Sequence, residues 1–169
     1  MSHVYKIREF KENDSKNVFY FLYNLLANEF NIKLDFDNLD SDLLDIKNHY
    51  NKDEGGCFWI VELEDNNQII GTVAIRKLKE PIFADTNNYA ELKRMFLAKQ
   101  YRGKGIGQQM LNMALDYAKK EGYSKVFLYS SKVLKASRQL YLKNRFTDIL
   151  PYNNDHRADV FMEKKLIIF

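Results

Sequence analysis

The stretch Glu91–Tyr117, ELKRMFLAKQYRGKGIGQQMLNMALDY, decides how the rest of the chain is read. It begins as a strand-like run from Glu91 to Leu97, passes through a turn with glycines at alternating positions, Gly103, Gly105 and Gly107, and continues into an amphipathic helix. Glycines at that spacing let the backbone approach a ligand closely. A helix that starts there aims unpaired N–H groups and the positive end of its dipole at the same ligand. The arrangement is an anion cradle, and a pyrophosphate is its natural guest. Arg102 and Lys104 flank the turn and can add charge, Arg as a bidentate fork and Lys as a point charge.

Spacing decides which nucleotide such a cradle holds. The dinucleotide fingerprint GxGxxG needs glycine at position 108, where the chain has Gln108, and the phosphate loop GxxxxGK[ST] needs Gly-Lys-Ser/Thr from that position. Both fail. Arg102, Gly105 and Gly107 instead match Arg/Gln-x-x-Gly-x-Gly/Ala, the coenzyme A signature of the GNAT acyltransferase superfamily, which the chain thereby resembles. The motif is short, and alone it would also describe a glycine-rich turn before an ordinary helix. Its flanks agree with the family: a strand ending Met95-Phe96-Leu97 upstream, a helix downstream, then a strand at Lys125–Tyr129, a short helix with Tyr141, and the pair Arg145-Phe146. The resemblance covers residues 57 to 166 well and the N-terminal third loosely.

Composition bounds the rest. A chain of 169 residues is within the size of one domain and can bury a proper core, so 1–169 is expected to be a single domain. Hydrophobic residues at 46%, charged residues at 29%, 11 Tyr and 12 Phe describe a globular protein rather than a disordered one. A formal charge of +3 is too small to imply nucleic acid, although the local field of a cleft can still steer an anionic cofactor. The sequence has no apolar run long enough for a membrane span and no signal-peptide hydrophobic region at Met1–Lys6, so a cytoplasmic location is expected. Cys57, the single cysteine, heads the run Phe58-Trp59-Ile60-Val61 and reads as buried strand packing.

Hydrophobic periodicity then orders the elements. Val4–Arg8 alternates as a first strand, and Asn13, Asp14 and Ser15 offer caps for a helix whose Val18, Phe19, Leu22, Leu25, Leu26 and Phe30 form one apolar stripe. A second helix is expected to carry Leu43, Leu44 and Ile46, with Asp40 or Ser41 as cap. Phe58–Leu63 and Gln68–Ile75 read as a hairpin joined by Glu64–Asn67. Pro81 and Asp85–Asn88 mark a loop before the strand Tyr89–Leu97. The helix Gly105–Glu121 presents Ile106, Met110, Met113, Ala114, Tyr117 and Ala118 on one face and ends at Gly122. Val126–Tyr129, reached by this crossover, should lie parallel to the Glu91 strand. A helix at Lys135–Asn144, a strand at Phe146–Ile149 and an alternating strand at Asp159–Leu166 that closes the sheet complete the chain.

The resemblance implies an α/β fold of the mixed α+β kind: a mostly antiparallel sheet of about seven strands with a splayed parallel pair, flanked by about four helices. It also implies an acetyl-CoA-dependent N-acetyltransferase without a metal, with a primary amine attacking directly in a ternary complex. Backbone N–H groups at Met95, Phe96 and Leu97 would hold the pantetheine arm and acetyl carbonyl in the splay. Those of the turn and helix start, Gly103, Lys104, Gly105, Ile106, Gly107 and Gln108, would hold the pyrophosphate, with Arg102 at the flank of the same cofactor site. Tyr141 stands where the family places the tyrosine that protonates the departing sulfur, and its alternative is a helix tyrosine packed on the sheet. Glu91 is the candidate base. Period-two alternation puts it on the face of Lys93, Met95 and Leu97, although Glu91-Leu92-Lys93-Arg94 also reads as surface charge alternation.

The chain departs from the family pattern at Tyr129, where several relatives have a glutamate base, and at Arg145, where glycine more often precedes Phe146. His3, His49 and His156 have no metal-ligand spacing. The expected partners are a small-molecule or amino-acid amine and, at most, a second copy of the chain as a homodimer; nucleic acid and membrane are not expected. The alternative to an enzyme is a non-catalytic acyl-CoA-binding sensor that keeps the cradle. A single-stranded nucleic-acid binder is disfavoured because the aromatics follow core periodicity.

Overall fold

The computed structural model describes residues 4–79 and 88–167. The expected loop residues Pro81 and Asp85–Asn87 lie outside them, as does His3. Seven strands form one sheet: β1 (Tyr5–Glu9), β2 (Cys57–Leu63), β3 (Ile69–Lys77), β4 (Tyr89–Leu97), β5 (Lys125–Ser130), β6 (Thr147–Asp148) and β7 (Val160–Lys165). Their order is β1-β2-β3-β4-β5-β7-β6. All neighbours are antiparallel except β4 and β5. The last strand in sequence therefore does not close the sheet. β7 slots between β5 and β6, leaving the two-residue β6 as the edge, a short strand that exposes few unpaired backbone groups.

Among the described residues four α-helices cover the sheet: α1 (Ser15–Tyr23), α2 (Ile46–His49), α3 (Ile106–Lys120) and α4 (Lys135–Lys143). Every residue of β2 is buried because both of its faces are covered. Cys57, Trp59, Val61 and Leu63 pack with Met110, Leu111 and Ala114 of α3, while Phe58 and Ile60 pack with Val18, Leu22 and Leu26. Burial pushes the Cys57 thiol up to about 12, which suits the inert packing role expected of it. Among the described residues no helix is long and apolar enough to cross a membrane.

Two expectations for the N-terminal third need correction. The apolar stripe beginning at Val18 is carried first by α1 and then by a π-helical turn over Asn24–Glu29, which keeps Leu25 and Leu26 buried. The second helix is two short pieces: a 3-10 turn over Ser41–Leu44, which leaves Leu44 exposed, and α2, capped by the Asp45 side chain on the Asn48 N–H at 3.4 Å. Asp40 makes no capping bond with its side chain. It is drawn inward by arginines, as described below.

The feature that positions the site is a bulge in β4. Arg94 has φ +49°, and the register against β3 shifts between Thr72 and Ala74. The Thr72 hydroxyl donates to the displaced Arg94 carbonyl at 2.7 Å. One extra residue reverses the alternation of side chains beyond it. Ala90 and Leu92 face the α3 core before the bulge, and Met95 and Leu97 face it afterwards. Glu91 is therefore not on the face of Met95 and Leu97, contrary to simple alternation.

Candidate active site

β4 and β5 pair over only three residues: Tyr89 with Lys125, Ala90 with Val126 and Glu91 with Phe127. Beyond this point the strands separate, so the backbone of β4 from the bulge to Leu97 is released from β5. The released end opens into a groove of about 550 Å³ lined by Met95, Phe96, Leu97, Arg102, Gly103, Gly105, Gly107 and Gln108. Lys104 and Ile106 do not line it. Ile106 is a core residue that can offer only its backbone, and the Lys104 ammonium lies over the Tyr101 ring at 5.5 Å.

The turn is built from backbone geometry. Gly103 and Gly105 have φ +73° and +82°, a region costly for L side chains, and a Cβ on either would meet nothing within 4 Å. Glycine is thus favoured by backbone conformation rather than by lack of space, and the space over the turn stays open for a guest. Gly105 is the N-cap of α3 and gives no side-chain capping bond, so the first N–H groups of the helix point into the groove without partners from the helix itself. This donor set fits a pyrophosphate. The Gln108 side chain serves another purpose, exchanging hydrogen bonds with Asn144 at 2.8 and 2.9 Å to tie α3 to the end of α4. Arg102 braces the strand end: its Nε donates to the Leu97 carbonyl at 2.8 Å, and its guanidinium pairs with Glu29 and lies over the Phe30 ring.

A second cavity, about 120 Å³, adjoins the first and shares Met95, Phe96, Leu134 and Ser137 with it. Tyr141 lines this cavity. Its ring packs against Phe146 at 5.6 Å between centroids, burial pushes its phenol well above the usual range, and its hydroxyl makes no hydrogen bond among the described residues.

The floor of the cavity is a charge cluster that sequence periodicity did not reveal. Arg94 donates through Nε to Asp42 at 2.9 Å, makes a second bond to Asp42, and reaches Asp40 at 3.1 Å. Tyr50 donates its hydroxyl to Asp42. Burial alone would raise the Asp42 pKa, but the Arg94 charge and hydrogen bonds outweigh it and hold the carboxyl well below the ordinary range. Arg157, from the loop before β7, reaches Asp40 at 2.7 Å and Asp155 at 3.0 Å. Lys93 donates to the Tyr129 hydroxyl and lies over its ring.

Glu91 does not line this cavity. It is 1% exposed and borders a separate cleft with Asp45, His49 and Arg76. Its carboxylate accepts from Arg76 at 2.9 Å and from Tyr152 at 3.0 Å. Burial pushes its pKa up, but the Lys93 and Arg76 charges and these hydrogen bonds prevail and hold it below the ordinary value. Glu91 is thus not part of a surface charge alternation. His49 and His156 are exposed and neither lines this cavity, although His156 stands between the lining residues Asp155 and Arg157, and no group of metal-binding residues occurs among the described residues.

The model of the Acetyltransferase (GNAT) family matches residues 19–146. With a seven-stranded mixed sheet, one splayed parallel pair and a glycine cradle at the start of α3, the chain belongs to the GNAT acetyltransferase family. It is similar to N-acetylaspartate synthetase of Xenopus tropicalis, 36% identical over 103 residues, which are 61% of this chain and 35% of that protein. The chain thus spans about a third of the length of this relative. Among solved structures it resembles a GNAT-family acetyltransferase from Staphylococcus aureus Mu50, with TM-score 0.85, 26% identity, and coverage of 97% of this chain and 100% of that one. A Salmonella typhimurium structure solved with its cofactor acetyl-CoA has the same fold, with TM-score 0.72, 16% identity, and coverage of 97% and 95%.

Proposed function

We propose that residues 1–169 act as one N-acetyltransferase domain that moves an acetyl group from acetyl-CoA to the primary amine of a small molecule or amino acid, by direct attack in a ternary complex. The observation that carries this reading is the junction of the two cavities at Met95, Phe96, Leu134 and Ser137, where β4 and β5 part. The groove under the glycine turn is the cofactor end, and the cavity with Tyr141 and the charge cluster is the acceptor end. The name of the relative, an N-acetylaspartate synthetase, supports an amino-acid acceptor.

When bound, acetyl-CoA supplies an activated acyl group and a thiolate leaving group. The N–H groups of Gly103 to Gln108 hold the pyrophosphate, with the α3 dipole favouring its charge. The released backbone at Met95–Leu97 holds the pantetheine arm and the acetyl carbonyl. As the amine nitrogen bonds to the acetyl carbon and the C–S bond breaks, Tyr141 delivers its proton from Oη to the departing sulfur; the proton shed by the nitrogen passes to solvent, from which the phenol is reprotonated. Glu91, engaged by Arg76 and Tyr152, has little proton affinity to offer and enters the reading as a positioning residue for β4.

Calorimetric titration with acetyl-CoA tests the first half of the proposal, with a Kd expected from about 1 to 100 μM, roughly −8 to −5.5 kcal/mol. Thiol release on addition of amines tests the second half. Binding without turnover of any amine would mark a sensor, and the absence of binding would reduce the glycine turn to a turn.

A further inference from the structure

We propose that the acceptor is an amine that carries a carboxylate, an amino acid, and that Lys93 is the residue that selects it by binding that carboxylate. The inference rests on the reading of the Tyr141 cavity as the acceptor end and deepens it.

Three cations line this cavity, and two are already spoken for. Arg94 is locked by Asp40 and Asp42, and Arg157 by Asp40, Asp155 and the Lys33 carbonyl. Lys93 differs. It is 8% exposed, lines the cavity, and forms no ion pair with a carboxylate among the described residues. Its one hydrogen-bond partner among them is the neutral Tyr129 hydroxyl. An ammonium has three donors, so two remain for a ligand in the cavity. Glu91, Asp42 and Asp155 feel the Lys93 charge from a distance, but none of them is in ion-pair contact with its ammonium; a carboxylate arriving with the substrate can make that direct contact.

Charge balance sharpens the substrate class. Around the cavity Lys93, Arg94 and Arg157 stand with Asp40, Asp42 and Asp155, three cations against three carboxylates among the described residues. A simple amine would add an uncompensated cation to this balanced, buried cluster, and a simple acid would add an anion. A zwitterion adds neither, and its separated charges match a cavity in which Lys93 touches no carboxylate among the described residues while three aspartates share two arginines. Leu26, Ile32 and Leu134 add apolar wall beside these polar contacts.

The test compares ligand pairs that differ only at the carboxyl group. L-methionine, L-alanine and L-aspartate would each be titrated beside the matching α-carboxamide, without acetyl-CoA, by ligand-detected NMR. The wild-type protein is expected to bind at least one amino acid about 10- to 100-fold more tightly than its carboxamide, the range of one charge-assisted hydrogen-bonded contact. In Lys93→Met and Lys93→Gln the preference should fall to near unity, with Lys93→Arg restoring part of it. Equal binding of acid and amide by the wild type would overturn the proposal, as would failure to bind any pair or a preference that survives in both neutral variants. The wild-type comparison needs no folded variant. Because no acetyl-CoA is present, a protein that shows the Lys93-dependent preference yet releases no thiol would keep this inference while the acetyltransferase reading fails.

Discussion

The Arg102–Gly107 turn and the cluster around Arg94 lie at opposite ends of one continuous cleft and are built by opposite means. The turn uses backbone alone, with two left-handed glycines and an uncapped helix start, all within six residues. The cluster uses side chains alone and gathers them from distant parts of the chain: Arg94 lies 52 residues from Asp42, and Arg157 lies 117 residues from Asp40. A backbone site stays competent while its φ values survive, whatever the neighbouring side chains do. A side-chain site of this kind is inseparable from the tertiary structure, because the same bonds that shape the Tyr141 cavity dock the N-terminal third onto the sheet.

That contrast breaks most severely at Arg94. Replacing it with Met would leave Asp40 and Asp42 buried with one cation, Arg157, in place of two, and deleting one partner of a buried pair typically costs about 3–5 kcal/mol. Urea unfolding of Arg94→Met should show a loss of that size, and a loss under about 1 kcal/mol would mean that water already screens the cluster. The pH dependence has a definite sign. Asp42 is held below its unfolded value of about 3.9, so its contribution is fully present above that pH and is lost as pH falls toward the folded value. The stability gap between wild type and Arg94→Met should therefore narrow below about pH 4.

At the other end, Gly105→Asp should weaken acetyl-CoA binding by more than about 100-fold while the protein stays folded, because aspartate tolerates φ > 0 better than most residues and its Cβ meets no protein atom. The damage comes from a carboxylate beside the pyrophosphate and against the helix dipole. Gly105→Asn separates charge from geometry and should lose much less. Equal losses for the two variants would mean that backbone fit, not charge, controls this end.

The same contrast explains what was legible beforehand. The cradle could be read because its requirements are local: glycine spacing, a strand before and a helix after. So could the hairpin of β2 and β3 and the parallel relation of β4 to β5, each carried by hydrophobic period and connection length. The charge cluster was hidden because nothing in a run such as Asp35–Asp45 distinguishes an exposed aspartate from one that an arginine about 50 residues away will bury. The β4 bulge was hidden for a related reason. Arg94 adopts φ +49° because Thr72 and two aspartates hold it there, and arginine carries no turn signature that would announce it. Missing that one residue is what put Glu91 on the wrong face.

Where the two ends meet, Tyr141→Phe removes a hydroxyl that makes no structural hydrogen bond among the described residues, so its cost should be kinetic. A drop in kcat of about 10- to 100-fold with acetyl-CoA affinity unchanged is the range for losing one general acid. Unchanged turnover would return Tyr141 to the core it packs in.

The smallest expected effect sharpens how Tyr141 is held. α4 ends in a Schellman arrangement: Phe146 N–H donates to the Tyr141 carbonyl at 3.0 Å, Arg145 N–H to the Leu142 carbonyl at 3.0 Å, and the Tyr141 and Phe146 rings make the accompanying apolar contact. The motif calls for a left-handed residue at position 145. Arg145 adopts it at φ +64°, so the turn forms despite the missing glycine, at a conformational cost of about 1–2 kcal/mol. Arg145→Gly removes that cost but adds unfolded-chain entropy of about 0.5–1 kcal/mol. The expected net gain is therefore about 0.5–1 kcal/mol, read as a higher midpoint of thermal unfolding. Because Arg145 is exposed and its side chain is not part of the hydrogen-bonded turn, kcat should not move. A gain in stability accompanied by a fall in kcat would show that strain at the end of α4 helps to aim Tyr141, and would make this turn part of the catalytic geometry rather than a support beneath it.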